Sequence, residues 1–148
     1  GTMGYGVPSS IGVQVAHPGS LVINVAGEAS WLMTMQEMGT AVQYRLPVKQ
    51  FILNNERLGM VRQWQQLFFD RRYSSVELQN PDFIKIAEGF GVKGKQISKP
   101  EELAGGIAEM LAHDGPFLLH VLVEKEENIF PMVAAGKAVD EIILEKES

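Results

Sequence analysis

The amino-acid sequence predicts a three-layer α/β/α domain around a mainly parallel sheet. Two apolar runs of strand length, residues 21–26 and 49–53, each end in a polar turn that opens a helical pattern. A third run, residues 117–123, is apolar except for His120, which is typical of a parallel strand buried on both faces. With 148 residues and 45% hydrophobic content, we expect one domain over residues 1–148.

Composition argues against several function classes. A net charge of −5 and a pI near 5.2 argue against nucleic-acid and anionic-membrane partners, because both favour a basic surface. The chain has no cysteine, so disulfides and thiolate metal sites are excluded and a reducing compartment fits. No apolar run approaches the roughly 18 residues of a membrane span. A signal peptide is not expected either.

The chain opens with a glycine-rich loop. Gly1, Gly4 and Gly6 suit tight turns or the close approach of a flat ligand. Because no strand precedes this loop, we expect a sheet truncated at its N-terminal edge. Residues 7–15 predict a buried helix, and His17 is expected in a solvated loop.

A helix over residues 30–44 is predicted next. Its apolar residues recur at spacings of three and four, which indicates a stripe facing the core: Leu32, Met35, Met38 and Val42. Another helix is expected to begin at Gly59. Met60 and Trp64 share one face of it, and on the residues alone that face is interpreted as core.

The second half alternates helices and strands. Residues 68–79 are expected to form a surface excursion. The remaining predicted elements are a helix over 81–90 ended by a left-handed Gly91, a strand over 93–97, a helix over 99–113 and the strand over 117–123. His120 is interpreted as a hydrogen-bonded core histidine. The tail at 129–133 should pack on the domain, and residues 145–148 should fray.

Polar side chains follow the first two strands. Glu28 and Asn55 lie 27 positions apart, enough for a helix and a return strand, so a right-handed crossover would place both at one carboxyl edge of the sheet. Mg²⁺ prefers such oxygen ligands together with phosphate oxygens. Gly27, Ala29 and Ser30 are small enough for phosphate to approach the helix N-terminus. On spacing alone, two ordinary turns remain the alternative interpretation.

Three motifs carry a resemblance to a known family. They are the opening Gly1–Gly6, the triplet Gly27–Ala29 followed at a fixed interval by Asn54–Asn55, and the run Gly59–Gln65. Together, over essentially the whole chain, they resemble the C-terminal thiamine diphosphate-binding domain of acetolactate synthases, also called acetohydroxyacid synthases. The first two mark thiamine diphosphate enzymes broadly. The third, with Pro81–Phe83 and Pro131–Val133, points to acetolactate synthases.

The resemblance implies roles for individual residues at the cofactor. Glu28, Asn55 and the backbone carbonyl of Arg57 would hold Mg²⁺ on the diphosphate, although the family has Asp at position 28. Gly27, Ala29 and Ser30 belong to the same cofactor-binding motif. Met3 would support the bent cofactor, and the carbonyl of Gly1 would face its aminopyrimidine.

The resemblance also implies a substrate pocket. Met60 and Trp64 match residues that line it, and the tryptophan biases the second substrate towards larger 2-oxo acids and contributes to herbicide binding. For Trp64 this implication outweighs the core-packing interpretation.

The implied activity joins a two-carbon unit from pyruvate to pyruvate or 2-oxobutyrate, in branched-chain amino-acid biosynthesis. In this family FAD binds through a middle domain, and a glutamate from the amino-terminal domain of a neighbouring subunit activates the aminopyrimidine. This chain matches neither domain, so we expect the isolated chain to be inactive. A homodimer or larger homo-oligomer, a regulatory small subunit and a bacterial-type cytoplasmic location are also implied.

Three other functions compete with this one. Another thiamine diphosphate enzyme, of the sulfoacetaldehyde acetyltransferase or glyoxylate carboligase type, is disfavoured by Trp64. A non-catalytic scaffold would follow if Glu28 had abolished metal binding. A nicotinamide-binding Rossmann domain is disfavoured because its glycine fingerprint directly after a strand is missing.

Overall fold

The computed structural model describes residues 1–144, so the fraying expected for residues 145–148 lies outside the described residues. Helices and strands alternate along most of this part of the chain. In order they are α1 (Gly6–Ala16), β1 (Ile23–Gly27), α2 (Glu28–Leu32), a 3-10 turn (Met35–Glu37), α3 (Met38–Gln43), β2 (Lys49–Asn54), α4 (Gly59–Phe68), α5 (Phe83–Gly89), β3 (Lys93–Ile97), α6 (Pro100–Ala112), β4 (Phe117–Leu122), β5 (Met132–Val133) and β6 (Ile142–Ile143).

Four strands form one parallel sheet in the order β1-β2-β4-β3. Ile52 at the centre of β2 pairs with Ala26 of β1 on one side and His120 of β4 on the other. Because all four strands run in the same direction, their carboxyl ends meet at one edge. The mainly parallel α/β architecture predicted from the sequence is therefore confirmed.

Helices cover both faces of the sheet. On one face, α1, α2, α3 and α5 build the larger core, which contains Trp31, Met38, Ile52 and Phe83. On the other face, α6 covers a smaller core around Met110 and the β4 side chains Phe117, Leu119 and Val121. Strand β4 is thus buried on both faces, as its apolar run predicts.

The prediction of a single helix over residues 30–44 is wrong. Helix α2 begins earlier, at Glu28, and ends at Leu32; a 3-10 turn and α3 follow. The break lies at Thr34, whose backbone leaves the helical region (φ −139°, ψ 23°). Its hydroxyl donates to the carbonyl of Gly4 at 2.9 Å, so the residue that interrupts the helix also holds the glycine-rich loop.

The boundaries of the later elements follow the sequence closely. Asp82 caps α5 by accepting hydrogen bonds from the backbone of Ile84 and Lys85, both at 3.1 Å. Gly91 has φ +76°, the left-handed conformation predicted for it. Strand β3 spans the predicted residues.

Helix α4 buries a different face from the one predicted. Met60 is 44% exposed, whereas the polar residues Arg62 and Gln63 are buried. Gln63 exchanges two hydrogen bonds of 2.8 Å with the backbone of Ile129, which fixes the C-terminal tail on α4. The tail packs on the domain as expected, through polar contacts. No helix within residues 1–144 is long and apolar enough to cross a membrane.

Candidate active site at the carboxyl edge

Glu28 and Asn55 each follow directly after a strand, β1 and β2, and both line one cavity of about 400 Å³ at the carboxyl edge of the sheet. Eight of the residues singled out from the sequence line this cavity: Met3, Gly27, Glu28, Ala29, Ser30, Asn55, Arg57 and Met60. They come from three separate parts of the chain: the opening loop, residues 27–30 and residues 55–60. The parallel crossover brings them together.

Glu28 is the buried acid of this cavity. The residue is only 2% exposed, and its Oε1 has no hydrogen-bond partner among the described residues. Burial raises the pKa of the Glu28 carboxyl above its ordinary value. The backbone N–H groups of Glu28, Arg57 and Asn55 and the side chain of Asn80 lie near enough to oppose that rise. A buried carboxylate with an unused oxygen is a natural ligand for a cation.

The turn after β2 faces this acid. Asn55 Oδ1 accepts a hydrogen bond from the backbone N–H of Arg57 at 3.1 Å, and Glu56 between them adopts a left-handed conformation with φ +55°. Gly59 closes the turn: a Cβ at that position would lie 3.1 Å from Asn55 Nδ2. The turn therefore sets where the Asn55 side chain and the Arg57 backbone lie.

The glycine-rich loop is fastened to α2. The backbone N–H of Gly4 donates to Ser30 Oγ at 3.1 Å, and Thr34 holds the Gly4 carbonyl. Gly4 has φ +82°, and a Cβ there would lie 3.1 Å from Met33 Cβ. These contacts hold the loop so that Met3 lines the cavity.

The backbone of Gly27 faces open space, because an added Cβ would meet nothing within 4 Å. Helix α2 is a single turn of five residues, so its dipole is smaller than that of the long helix expected from the sequence. Phosphate binding at this edge would therefore depend more on a bridging cation than on the helix.

The donor set fits Mg²⁺. Within residues 1–144, no group of three or more His, Asp or Glu side chains could hold a metal by itself. One carboxylate, an amide oxygen, a carbonyl and phosphate oxygens are the set that Mg²⁺ commonly takes. The unpartnered Oε1 of Glu28 is the observation that favours such a cation here.

Two of the predicted site residues lie apart from the cavity lining. Gly1 is exposed and Trp64 is not in contact with the cavity; its indole instead lies against the ring of Phe68, with centroids 5.0 Å apart. Within the described residues, then, Met60 lines the cavity and its helical neighbour Trp64 does not. Both remain predictions as substrate-contacting residues.

Sequence reasoning missed the apolar wall of the cavity. Leu53, Val123 and Ile129 line it. Leu53 lies near the end of β2 and Val123 follows β4, so the carboxyl-edge argument applied to Glu28 and Asn55 could have found both. No sequence pattern indicated Ile129, because its place at the cavity depends on the hydrogen bonds between its backbone and the Gln63 side chain of α4.

Ion pairs hold the segment after β4 against the turn. Arg57 pairs with Glu77 at 2.6 Å and with Glu126 at 3.5 Å, and Arg62 pairs with Glu126 at 2.6 Å. Lys125 pairs with Glu56 and holds the pKa of that carboxyl below its usual range. The pairs of Arg57 with Glu126 and of Glu56 with Lys125 join the segment after β4 to the turn that carries Asn55. Arg62 holds Glu126 from α4, and Glu77 belongs to the segment before α5.

Comparisons with known proteins agree with this geometry. Residues 1–121 match the family model described as thiamine pyrophosphate enzyme, C-terminal TPP binding domain. Among curated relatives, the acetolactate synthase catalytic subunit, mitochondrial, of Saccharomyces cerevisiae is 53% identical over 97% of this chain and 21% of its own length. The acetolactate synthase isozyme 2 large subunit of Escherichia coli is 46% identical over 97% of this chain and 26% of its own length.

A solved structure shares the fold. The thiamine diphosphate-dependent 4-hydroxybenzoylformate decarboxylase of Rhodococcus jostii RHA1 superposes with a TM-score of 0.78 at 30% identity, over 84% of this chain and 24% of that chain. The chain spans about a fifth to a quarter of the length of the proteins it matches. The chain therefore belongs to the thiamine pyrophosphate enzyme family, as its C-terminal TPP-binding domain.

Proposed function

We propose that this chain is the cofactor-binding part of an acetolactate synthase large subunit, acting on pyruvate and a second 2-oxo acid. The observation that carries the proposal is the buried Glu28 carboxylate with its unused oxygen, facing the Asn55–Arg57 turn. Identities of 53% and 46% to two acetolactate synthases, over 97% of the chain, support this enzyme within the family.

Each residue of the cavity has a proposed task. Glu28, the amide oxygen of Asn55 and the carbonyl of Arg57 would hold Mg²⁺, while Ser30 and the open space at Gly27 leave room for the diphosphate. Met3 and the backbone of Gly1 would hold the aminopyrimidine half. Thiamine diphosphate, when bound, supplies an electron sink for decarboxylation and carbon–carbon bond formation.

The apolar wall would serve the substrate. Met60 and Leu53 line the cavity, and Trp64 lies one helical turn beyond Met60 on α4. An apolar wall favours the alkyl chain of 2-oxobutyrate and excludes water from the reacting atoms. We assign Met60 and Trp64 to discrimination between acceptors.

The rest of the enzyme would complete the site. We propose that residues 1–148 form a single domain, that FAD and the activating glutamate belong to other domains of the full-length protein, and that the active unit is a homodimer or larger homo-oligomer. A regulatory small subunit and a cytoplasmic location belong to the same proposal.

The test is product formation by the full-length protein that contains this chain. With thiamine diphosphate and Mg²⁺, we expect acetolactate from pyruvate and acetohydroxybutyrate when 2-oxobutyrate is added. Sulfoacetaldehyde and glyoxylate should be poor substrates. Preferred turnover of either would favour the related enzymes, and failure of Mg²⁺-dependent cofactor binding would favour a scaffold.

A further inference from the structure

Asn54 makes hydrogen bonds that fix its orientation in the core. It is 3% exposed, and its Oδ1 accepts from the backbone N–H of Glu56 at 2.9 Å and from Asn80 Nδ2 at 3.1 Å. A backbone N–H can only donate, so the oxygen of the amide must face Glu56. The Nδ2 atom of Asn54 consequently faces the opposite way, towards β4.

His120 is the acceptor on that side. Its Nε2 lies 2.9 Å from Asn54 Nδ2, and an amide nitrogen can only donate, so Nε2 carries no proton. The proton of the neutral ring is then on Nδ1, which is buried and has no partner among the described residues. The two side chains lie on the same face of the sheet, with the ring of Phe83 packed on the imidazole at 4.7 Å.

This hydrogen-bonded chain leads to the metal-binding turn. Asn54 Oδ1 holds the N–H of Glu56, the residue in the left-handed conformation, and Asn55 and Arg57 lie on either side of Glu56. Asn80 extends the chain on the far side of Asn54, because its Nδ2 donates to the same Oδ1 at 3.1 Å. These hydrogen bonds thus connect His120 to the turn that carries Asn55 and the Arg57 backbone.

We propose that His120, Asn54 and Asn80 form a positioning relay that sets the geometry of the Mg²⁺–diphosphate site, an inference that rests on the proposed function. His120 acts as an obligatory acceptor, Asn54 fixes the turn, and Asn80 holds the Asn54 amide oxygen from the other side. None of the three needs to touch the metal. Removing hydrogen-bond partners that orient metal ligands commonly changes metal affinity by about 10–100-fold.

The test uses the full-length enzyme, with thiamine diphosphate affinity measured across a Mg²⁺ titration. His120→Leu removes the acceptor, and we expect the Mg²⁺ concentration for half-maximal cofactor binding to rise by about 10–100-fold. His120→Gln offers an amide oxygen near the place of Nε2 and should restore most of the affinity. Turnover of His120→Leu at saturating Mg²⁺ and cofactor should stay near that of the wild type.

Phe83→Leu is the matched control for packing. It disturbs the same part of the core and leaves the hydrogen-bonded chain intact, so it should lower the melting temperature without changing the Mg²⁺ requirement. An equal rise in that requirement for Phe83→Leu and His120→Leu would overturn the relay. So would wild-type affinity in His120→Leu.

Asn80→Leu covers the case in which His120→Leu does not fold. Asn80 is only partly buried, and its loss should also raise the Mg²⁺ requirement; wild-type binding by this variant would refute the relay. The wild type separates the two proposals. If it bound cofactor without Mg²⁺, the proposed function would fail, whereas a Mg²⁺-dependent wild type with unaffected variants would reject the relay alone.

Discussion

Glu28 directly follows β1, Asn55 directly follows the neighbouring parallel strand β2, and both residues line the same cavity. The pairing of Gly27 with Leu53 in register brings the two strand ends level. Strand register, helped by the Asn55–Arg57 turn, therefore brings together two oxygen-bearing side chains that are 27 residues apart in sequence. That arrangement leads to predictions about stability, substrate choice and metal binding.

Glu28→Gln should raise the melting temperature of the metal-free protein at pH 7. Burial raises the pKa of the Glu28 carboxyl above its ordinary 4.5, so the folded protein keeps this proton to higher pH than the unfolded chain does. The destabilisation is absent below about pH 4.5 and grows as pH rises towards the folded pKa. Melting curves in EDTA at pH 4 and pH 7 should show a gain mainly at pH 7.

The control for that experiment is Glu88→Gln, which changes an exposed glutamate on α5. It should shift the melting temperature little at either pH. A gain from Glu28→Gln that is the same at both pH values would contradict a buried, destabilising charge at position 28.

Gly4→Ala should destabilise the protein by about 1–2 kcal/mol, because an L-residue at φ +82° is strained. Its new Cβ would also crowd Met33 Cβ. Gly12→Ala is the matched control, since Gly12 is exposed in α1 and its added Cβ meets nothing within 4 Å. That change should stabilise by about 0.5–1 kcal/mol. Chemical denaturation of both variants measures the change in the free energy of unfolding. Equal changes for Gly4→Ala and Gly12→Ala would argue against a fixed conformation at Gly4.

Trp64→Leu in the intact enzyme should lower the preference for 2-oxobutyrate over pyruvate. Loss of one large apolar contact changes discrimination by about 1–3 kcal/mol. Phe68→Leu, which removes the aromatic neighbour of Trp64, should leave the preference nearly unchanged. Competition between the two acceptors measures the product ratio. An unchanged ratio in Trp64→Leu would remove Trp64 from the substrate pocket.

The isolated chain should form no acetolactate. The activating glutamate implied by the family lies in another domain, and proton transfer by a positioned group contributes roughly 10²–10⁴-fold. The measurement is turnover of the purified, folded chain with pyruvate, thiamine diphosphate and Mg²⁺. Turnover close to that of a full-length synthase would show that this chain holds a complete active site.

Sequence patterns predicted the parallel sheet and the residues of the cavity that follow its strands, because strand periodicity and carboxyl-edge placement are local and topological properties. Met3, Arg57 and Met60 were assigned to the site only through the family resemblance. The break at Thr34 was not predicted, since it depends on a hydrogen bond to Gly4, 30 residues away. The polar face of α4 was also missed. Arg62 and Gln63 are buried only because the tail supplies partners for them, and helical periodicity carries no information about such partners.

The role of His120 illustrates the same limit. A histidine in an apolar strand was correctly interpreted as a core residue, and its acceptor role follows from the orientation of Asn54 on the adjacent strand. Hydrogen-bond direction is a property of the folded neighbours.

We propose that Glu28 binds Mg²⁺ in the place of the family's Asp. Glu28 opens α2 and is buried with one oxygen unpartnered, and Mg²⁺ needs ligands at about 2.0–2.1 Å. If the turn is built around the longer side chain, Glu28→Asp leaves a gap that water must fill. The direct measurement is thiamine diphosphate affinity of wild type and Glu28→Asp across a Mg²⁺ titration in the full-length enzyme. We predict weaker, still Mg²⁺-dependent binding by Glu28→Asp; tighter binding by that variant, or Mg²⁺-independent binding by both proteins, would contradict the claim.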